Sequence, residues 1–158
     1  MTYDLLDSVT LASSASSVTF SSISQDYGDL VLIMDVLGSG GTTTPRYQFN
    51  SDTGANYSYV QMFGDGSTPQ SYSGTGQTRI SELSASTTTR NITTIQIMDY
   101  SATDKHKAVL SRSNRADNGV LGMASRWANT AAITSIEVFV TSNNFAAGST
   151  WHLYGIAK

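Results

Sequence analysis

The stretch Leu30-Val31-Leu32-Ile33-Met34 decides the fold class of this chain, because it is apolar at five consecutive positions. Successive side chains of a β-strand point to opposite faces, so the run predicts a central strand that is covered on both sides. Asp35 interrupts the run and is expected near a strand end or an interface.

Apolar residues elsewhere recur at every second position, which is the pattern of half-buried strands. No run has the i, i+3, i+4 spacing of an amphipathic helix. The alternation is found at Val9 and Leu11, Val18 and Phe20, Tyr47 and Phe49, Tyr57 to Phe63, Ile95 and Ile97, Ile136 to Val140, and Trp151 and Leu153.

Residues that favour turns separate these segments and give about ten strands. Short strands at this spacing predict an all-β protein, an antiparallel β-sandwich or barrel, and we expect a single sandwich domain over residues 1–158. The predicted turns are Asp52–Gly54 and Gly64–Gly66, and the predicted loops are Gly38–Pro45, Ser71–Gln77, Ser84–Thr89 and Asn114–Gly119.

The composition is low in charge and high in hydroxyl groups. Of 158 residues, 13% are charged, while 24 are Ser and 20 are Thr. A net charge of −3 supplies no basic footprint for nucleic acid, and a chain without cysteine has no disulfide or thiolate metal site. We expect Ser and Thr to cover the outer faces and loops of the sandwich.

Targeting signals are absent from the sequence as printed. The N-terminus lacks the basic and apolar regions of a secretory signal peptide. The longest apolar run is far shorter than the ~20 residues that span a bilayer. We therefore expect a soluble chain made in a cytoplasm, with no membrane partner.

A search for catalytic residues yields few candidates. His106 lies in a polar segment and His152 alternates with the apolar residues around it, so neither is expected to be a base or a metal ligand. Asp35 and Asp99 stand within apolar segments and form the one carboxylate pair to consider for a hydrolase. We expect no catalytic residue, no cofactor and no metal.

Aromatic residues offer a second possibility, a platform that stacks on sugar rings. The alternative explanation is that these rings cover the faces of the sheets. The candidates for the platform are Tyr57, Tyr59, Tyr72, Tyr100 and Trp127.

Several stretches near the two ends of the chain point to one family. In the first half they are Tyr3–Leu11, Ser17–Ile23, Tyr27–Leu32 and Asn50–Ser58. The ending is the most specific part, and it comprises Ala131–Ile136, Asn144–Thr150 and Leu153–Ile156. Together these stretches resemble a class of small virion proteins of tailed bacteriophages, while the part from Ser67 to Leu121 resembles nothing we can name.

The resemblance implies a jelly-roll-like β-sandwich in the virion, with no catalytic residues to carry over. Its motifs are turn and strand residues, so they argue for a shared fold more firmly than for a shared role. The leading expectation is a non-enzymatic capsid decoration (cement) protein on the major capsid lattice, made in the host cytoplasm and working as a homo-oligomer.

Two alternatives remain open at this point. One is a tail, baseplate or fibre module that binds the host receptor, with Gly38–Pro45 and Ser67–Gln77 as contact loops and a host-surface glycan as a partner. The other is a carbohydrate-binding module that uses the aromatic platform.

Overall fold

The computed structural model describes residues 2–158, and in that range it contains β-strands and no helix. Eleven of its fourteen strands have four or more residues, close to the predicted number. The strands are β1 (Tyr3–Thr10), β2 (Ser17–Phe20), β3 (Asp29–Val36), β4 (Gly38–Ser39), β5 (Arg46–Phe49), β6 (Tyr57–Gly64), β7 (Gln70–Gln77), β8 (Ile80–Ser81), β9 (Asn91–Ile97), β10 (Lys107–Arg115), β11 (Gly119–Trp127), β12 (Ile136–Phe139), β13 (Asn144–Phe145) and β14 (Thr150–Ile156).

The strands form two main antiparallel sheets. The larger has eight strands in the order β1-β14-β3-β9-β10-β11-β6-β7, and the smaller has four in the order β2-β12-β5-β8. Strands β4 and β13 pair separately. The predicted all-β antiparallel sandwich is confirmed, whereas its jelly-roll-like connectivity stays a prediction.

The core lies between the small sheet and the inner face of the large sheet. Leu30, Leu32 and Met34 of β3 are fully buried on that inner face. Across the gap, the ring of Phe49 on β5 lies 5.6 Å from the ring of Trp127 on β11, centroid to centroid. The alternation in the sequence therefore places one side of most strands in a shared apolar layer.

The prediction that Leu30–Met34 is covered on both sides is wrong for the outer side. Val31 and Ile33 point away from the core, on a face over which no second layer of residues 2–158 packs. Val31 still has only 7% of its surface exposed, because its neighbours within the sheet crowd it. The large sheet therefore has one covered face and one uncovered face.

Two predicted loops also differ from the structure. Ser71–Gln77 belongs to the edge strand β7, and Gly38–Pro45 begins with strand β4. Pairing with β6 stabilises β7 despite its low strand propensity, and the Tyr59 ring packs so close to Gly74 that a Cβ there would lie 2.7 Å from Tyr59 Cε1.

The prediction that Ser and Thr cover the outer faces and loops is only partly right, because some of their hydroxyl groups are buried. Thr93, Ser111, Ser113 and Ser125 are buried on the inner face of β9, β10 and β11. On these central strands the outward positions carry apolar residues at Ile92, Leu110 and Val120 in their place. The expected polarity of this part of the sheet is thus partly reversed.

Candidate interaction surface

The outer face of the eight-stranded sheet, here called the open face, is unusually apolar. Nine large apolar side chains of residues 2–158 are exposed, and seven of them point outward from the open face. An apolar patch of more than a few hundred Å² marks an interaction surface in a soluble protein. The seven residues are Tyr3, Leu5, Val60, Met62, Ile92, Leu110 and Val120.

The strand register arranges these side chains in rows across the sheet. One central row contains Leu5, Tyr154, Val31, Gln96, Leu110, Ala124 and Val60. The next contains Ser8, His152, Ile33, Thr94, Arg112, Gly122 and Met62. Leu110 is 52% exposed and Met62 is 69% exposed, so the open face offers apolar area over much of its width.

Charge is sparse on the open face and falls into two regions. Arg112 and Arg126 lie on β10 and β11, while Asp29 and Asp35 lie at the two ends of β3. Arg90 binds the Asp35 carboxylate at 3.1 Å. Asp29 is held by the backbone N–H of Asp99, which donates to its Oδ1 at 2.9 Å.

Shallow grooves follow the strands of the open face. Two of them, of about 290 and 350 Å³, lie on either side of the Arg112 side chain. A third, of about 370 Å³, runs beside Val60 and Ala124 toward β7. The surface is therefore corrugated, which suits contact with side chains of another protein surface better than enclosure of a small ligand.

The carboxylates considered for hydrolysis do not meet. Asp35 lies beside Ile92 at the start of β9, and Asp99 follows the end of that strand, so about seven strand residues, or roughly 23 Å, separate them. Each has its own cation, Arg90 for Asp35 and Lys105, at 3.3 Å, for Asp99. The pair cannot flank one scissile bond.

The two histidines lie apart. His106 is exposed just before β10. His152 is half-buried on the open face, with its ring centroid 6.5 Å from that of Tyr154. The orientation of His152 away from the core agrees with the sequence prediction.

The predicted aromatic platform does not exist as a surface. Tyr57, Tyr100 and Trp127 are buried in the core. The indole N–H of Trp127 donates to Asp52 Oδ2 at 2.7 Å, and the Tyr57 hydroxyl donates to the Asp52 carbonyl at 3.2 Å. Tyr59 and Tyr72 alone retain exposure, so the rings cover the sheets, as in the alternative explanation.

Asp52 organises the turn before β6. Burial raises the pKa of its carboxyl, but hydrogen bonds from Asn56, Trp127 and the backbone of Gly54 outweigh burial and hold the pKa below its ordinary value. Asn56 Nδ2 donates at 2.8 Å and the Gly54 N–H donates at 2.8 Å. The Asp-x-Gly pattern predicted the turn but not its bond to a distant tryptophan.

A buried polar cluster lies inside the sandwich around Glu82. The Ser113 hydroxyl donates to Glu82 Oε2 at 2.8 Å, while Glu82 Oε1 and the hydroxyls of Tyr47, Ser111 and Ser125 have no hydrogen-bond partner among the described residues. Burial raises the pKa of Glu82, and nearby hydroxyls oppose this only in part. A neutral carboxyl fits such a site, because it can donate as well as accept.

Lys107 is a further residue that sequence reasoning missed. It is fully buried, and its Nζ donates to the carbonyls of Ala102 at 2.7 Å, Lys105 at 2.9 Å and Thr130 at 3.2 Å. Burial lowers the pKa of this ammonium. The lysine thus joins two loops at one end of the sandwich, and no local pattern distinguishes it from a solvated lysine.

Within residues 2–158, no three His, Asp or Glu side chains cluster closely enough to hold a metal ion. The same range contains no helix that could cross a membrane. Comparisons with protein-family models, with curated proteins and with solved structures each found no significant match.

Proposed function

We propose that this chain is a non-enzymatic structural protein of a tailed-bacteriophage virion, a capsid decoration protein attached to the major capsid lattice. The observation that carries the proposal is the open face, which marks the chain as one part of an assembly. Covering a sheet face that presents Leu110, Val60 and Met62 to solvent lowers the free energy, whether the covering surface belongs to a second copy or to another virion protein.

The resemblance of both ends of the chain to small phage virion proteins supports the particle as the setting. Those stretches contain strands β1, β2 and β13, the first half of β3 and most of β14. The chain carries no fibre-like repeat, which favours a position on the head over one in an extended fibre.

The low charge also suits a particle surface. Three ion pairs occur in residues 2–158, and all have a partner that is largely exposed, so little stability depends on salt. The chain has no cysteine, and its fold is independent of the redox state of its surroundings. Both properties help a protein that is made in a cell and then works outside it.

Deleting the gene from the phage that carries it tests the proposal. Gene-deleted particles should assemble but lose infectivity sooner than wild-type particles on heating or osmotic shock, because a decoration protein braces the lattice after assembly. Restoring the gene in trans should restore resistance. Deleted heads with unchanged robustness and otherwise unchanged composition would contradict the proposal.

A further inference from the structure

We propose that two copies of the chain associate through their open faces, around a two-fold axis that runs parallel to the strands between β9 and β10. The inference goes beyond the virion role, since it specifies the surface and the symmetry by which the chain binds itself. It is independent of where in a particle, or in a cell, the pair is used.

The size of the open face matches that of a stable dimer interface. The face is seven interstrand spacings of about 4.8 Å wide. Along the strands it extends over the seven residues from Asp29 to Asp35, at about 3.3 Å per residue. Its area is therefore roughly 800 Å². A standard specific interface buries about 800 Å² per partner. A second copy therefore covers the open face with an area of the right size.

The outer side of strand β3 has the composition of a side that packs against a second sheet. Leu30, Leu32 and Met34 are buried by the small sheet, yet the alternate residues Val31 and Ile33 are just as apolar. Strands with two apolar faces are typical of sheets that are covered on both sides. A second sheet against Val31 and Ile33 supplies the layer that the single chain lacks.

The proposed axis produces a fit between large and small side chains. Rotation about it places each strand opposite the strand at the mirror position, so that β11 lies over β3 of the partner and each row meets the same row. Gly122 and Ala124 of β11 then face the Ile33 and Val31 side chains of the second copy. Small residues opposite large ones allow close packing.

The same axis pairs opposite charges. Continuing the register by one residue beyond the Leu30–Ile97 and Val109–Ile97 pairs places Asp29 of β3 and Arg126 of β11 in one row of the sheet, so the guanidinium of each copy meets the carboxylate of the other. Asp29 is already positioned by the Asp99 N–H, and the dimer contains the charge pair twice. Arg112 faces Thr94 of the second copy and avoids its own symmetry mate.

Sedimentation equilibrium of the purified chain tests the inference, with Leu110→Asp as the disrupting variant and Tyr72→Asp as its matched control. Both side chains are about half exposed, at 52% and 50%, and both stand in strands of the large sheet, but Tyr72 lies on the opposite side from the open face. We expect a wild-type dimer, a Tyr72→Asp dimer, and a rise of at least about thirtyfold in the dimer Kd for Leu110→Asp.

Circular dichroism and thermal unfolding test whether each variant is folded. If Leu110→Asp unfolds, Met62→Lys replaces it, because a side chain that is 69% exposed tolerates a charge in the monomer. Arg126→Glu tests the axis and should raise the dimer Kd by a smaller factor than Leu110→Asp.

A wild-type chain that sediments as a monomer at its highest soluble concentration overturns the inference. Equal loss of dimer in the Leu110 and Tyr72 variants overturns the open face as the interface, and an unchanged Kd for Arg126→Glu overturns the axis. A monomer would leave the particle experiment unaffected, so the two proposals fail separately.

Discussion

Glu82 is a buried acidic residue with one unpaired carboxyl oxygen, an unfavourable environment for a negative charge. Glu82 is 4% exposed and its carboxyl accepts one hydrogen bond, from Ser113, while Arg115 at the end of β10 donates to Ser84 and Asp117. A buried carboxylate without a cation is unfavourable, so the folded chain raises the pKa of Glu82.

The raised pKa of Glu82 makes the free energy of unfolding depend on pH in a defined direction. Because the pKa of Glu82 is higher in the folded than in the unfolded chain, the folded chain holds its proton more tightly. The stabilising contribution is complete below the unfolded pKa of about 4.3 and is lost as the pH rises through the folded pKa.

Replacing Glu82 by Gln should remove this pH dependence. We expect Glu82→Gln to be more stable than wild type at about pH 8, by roughly 1–3 kcal/mol, because the amide stays neutral, and to differ little from wild type at about pH 4. Urea unfolding followed by tryptophan fluorescence measures both values.

Glu137→Gln is the control for Glu82→Gln, since Glu137 is the other glutamate of the chain and lies half-exposed on β12. A Glu82→Gln variant that is less stable than wild type at both pH values would show that the ionised carboxylate is favourable inside the fold.

Contacts between residues that are far apart in the sequence could not be predicted from the sequence. Asp52 was recognised as a turn residue, but its bond to Trp127 joins positions 75 residues apart. Lys107 bonds to Thr130 and Glu82 accepts from Ser113, and these partners lie 23 and 31 residues away in the chain. Local pattern reports period and propensity, and it carries no information about such distant partners.

At the scale of the elements, the end of the β10–β11 hairpin depends on the absence of a side chain. Gly119 opens β11 beside the end of β6, and a Cβ at Gly119 would lie 2.3 Å from the carbonyl oxygen of Gly64. Backbone cannot yield as a flexible side chain does, so the two strands would have to separate. The glycine therefore permits the close approach of β11 to β6.

Gly119→Ala should destabilise the fold by about 1–3 kcal/mol, the usual cost of an overpacked contact, as measured by urea unfolding. Gly64→Ala is the matched control, because Gly64 of β6 pairs with Val120 of β11, next to Gly119, and a Cβ at Gly64 would meet nothing within 4 Å. Equal stability of the two alanine variants would refute the steric role of Gly119.

Strands with alternating apolar residues could be predicted from the sequence, whereas the polar edge strand could not. Strands with alternating apolar residues, such as β9 with Ile95 and Ile97, were predicted because burial on one face leaves a period of two. The part Ser71–Gln77 of strand β7 was predicted as a loop because its residues are polar, and an exposed edge strand needs no apolar face. Its structure comes from pairing with β6, which composition does not reveal.

For the whole molecule, the apolar run Leu30–Met34 predicts a strand covered on both sides, whereas the single chain covers only the inner side. The sandwich and its inner layer follow from the alternation, whereas the second cover over Val31 and Ile33 is missing from residues 2–158. We attribute the excess apolar surface to assembly, with a second copy of the chain as the proposed cover of the open face.

The most direct test of the decoration role is a low-resolution electron cryomicroscopy map of the particle, recorded for wild-type phage and for phage lacking the gene. The proposal predicts regularly spaced knobs over the wild-type head that disappear from the gene-deleted head, while the lattice beneath stays the same. Identical heads, with the difference density confined to the tail or absent from the particle, would contradict it.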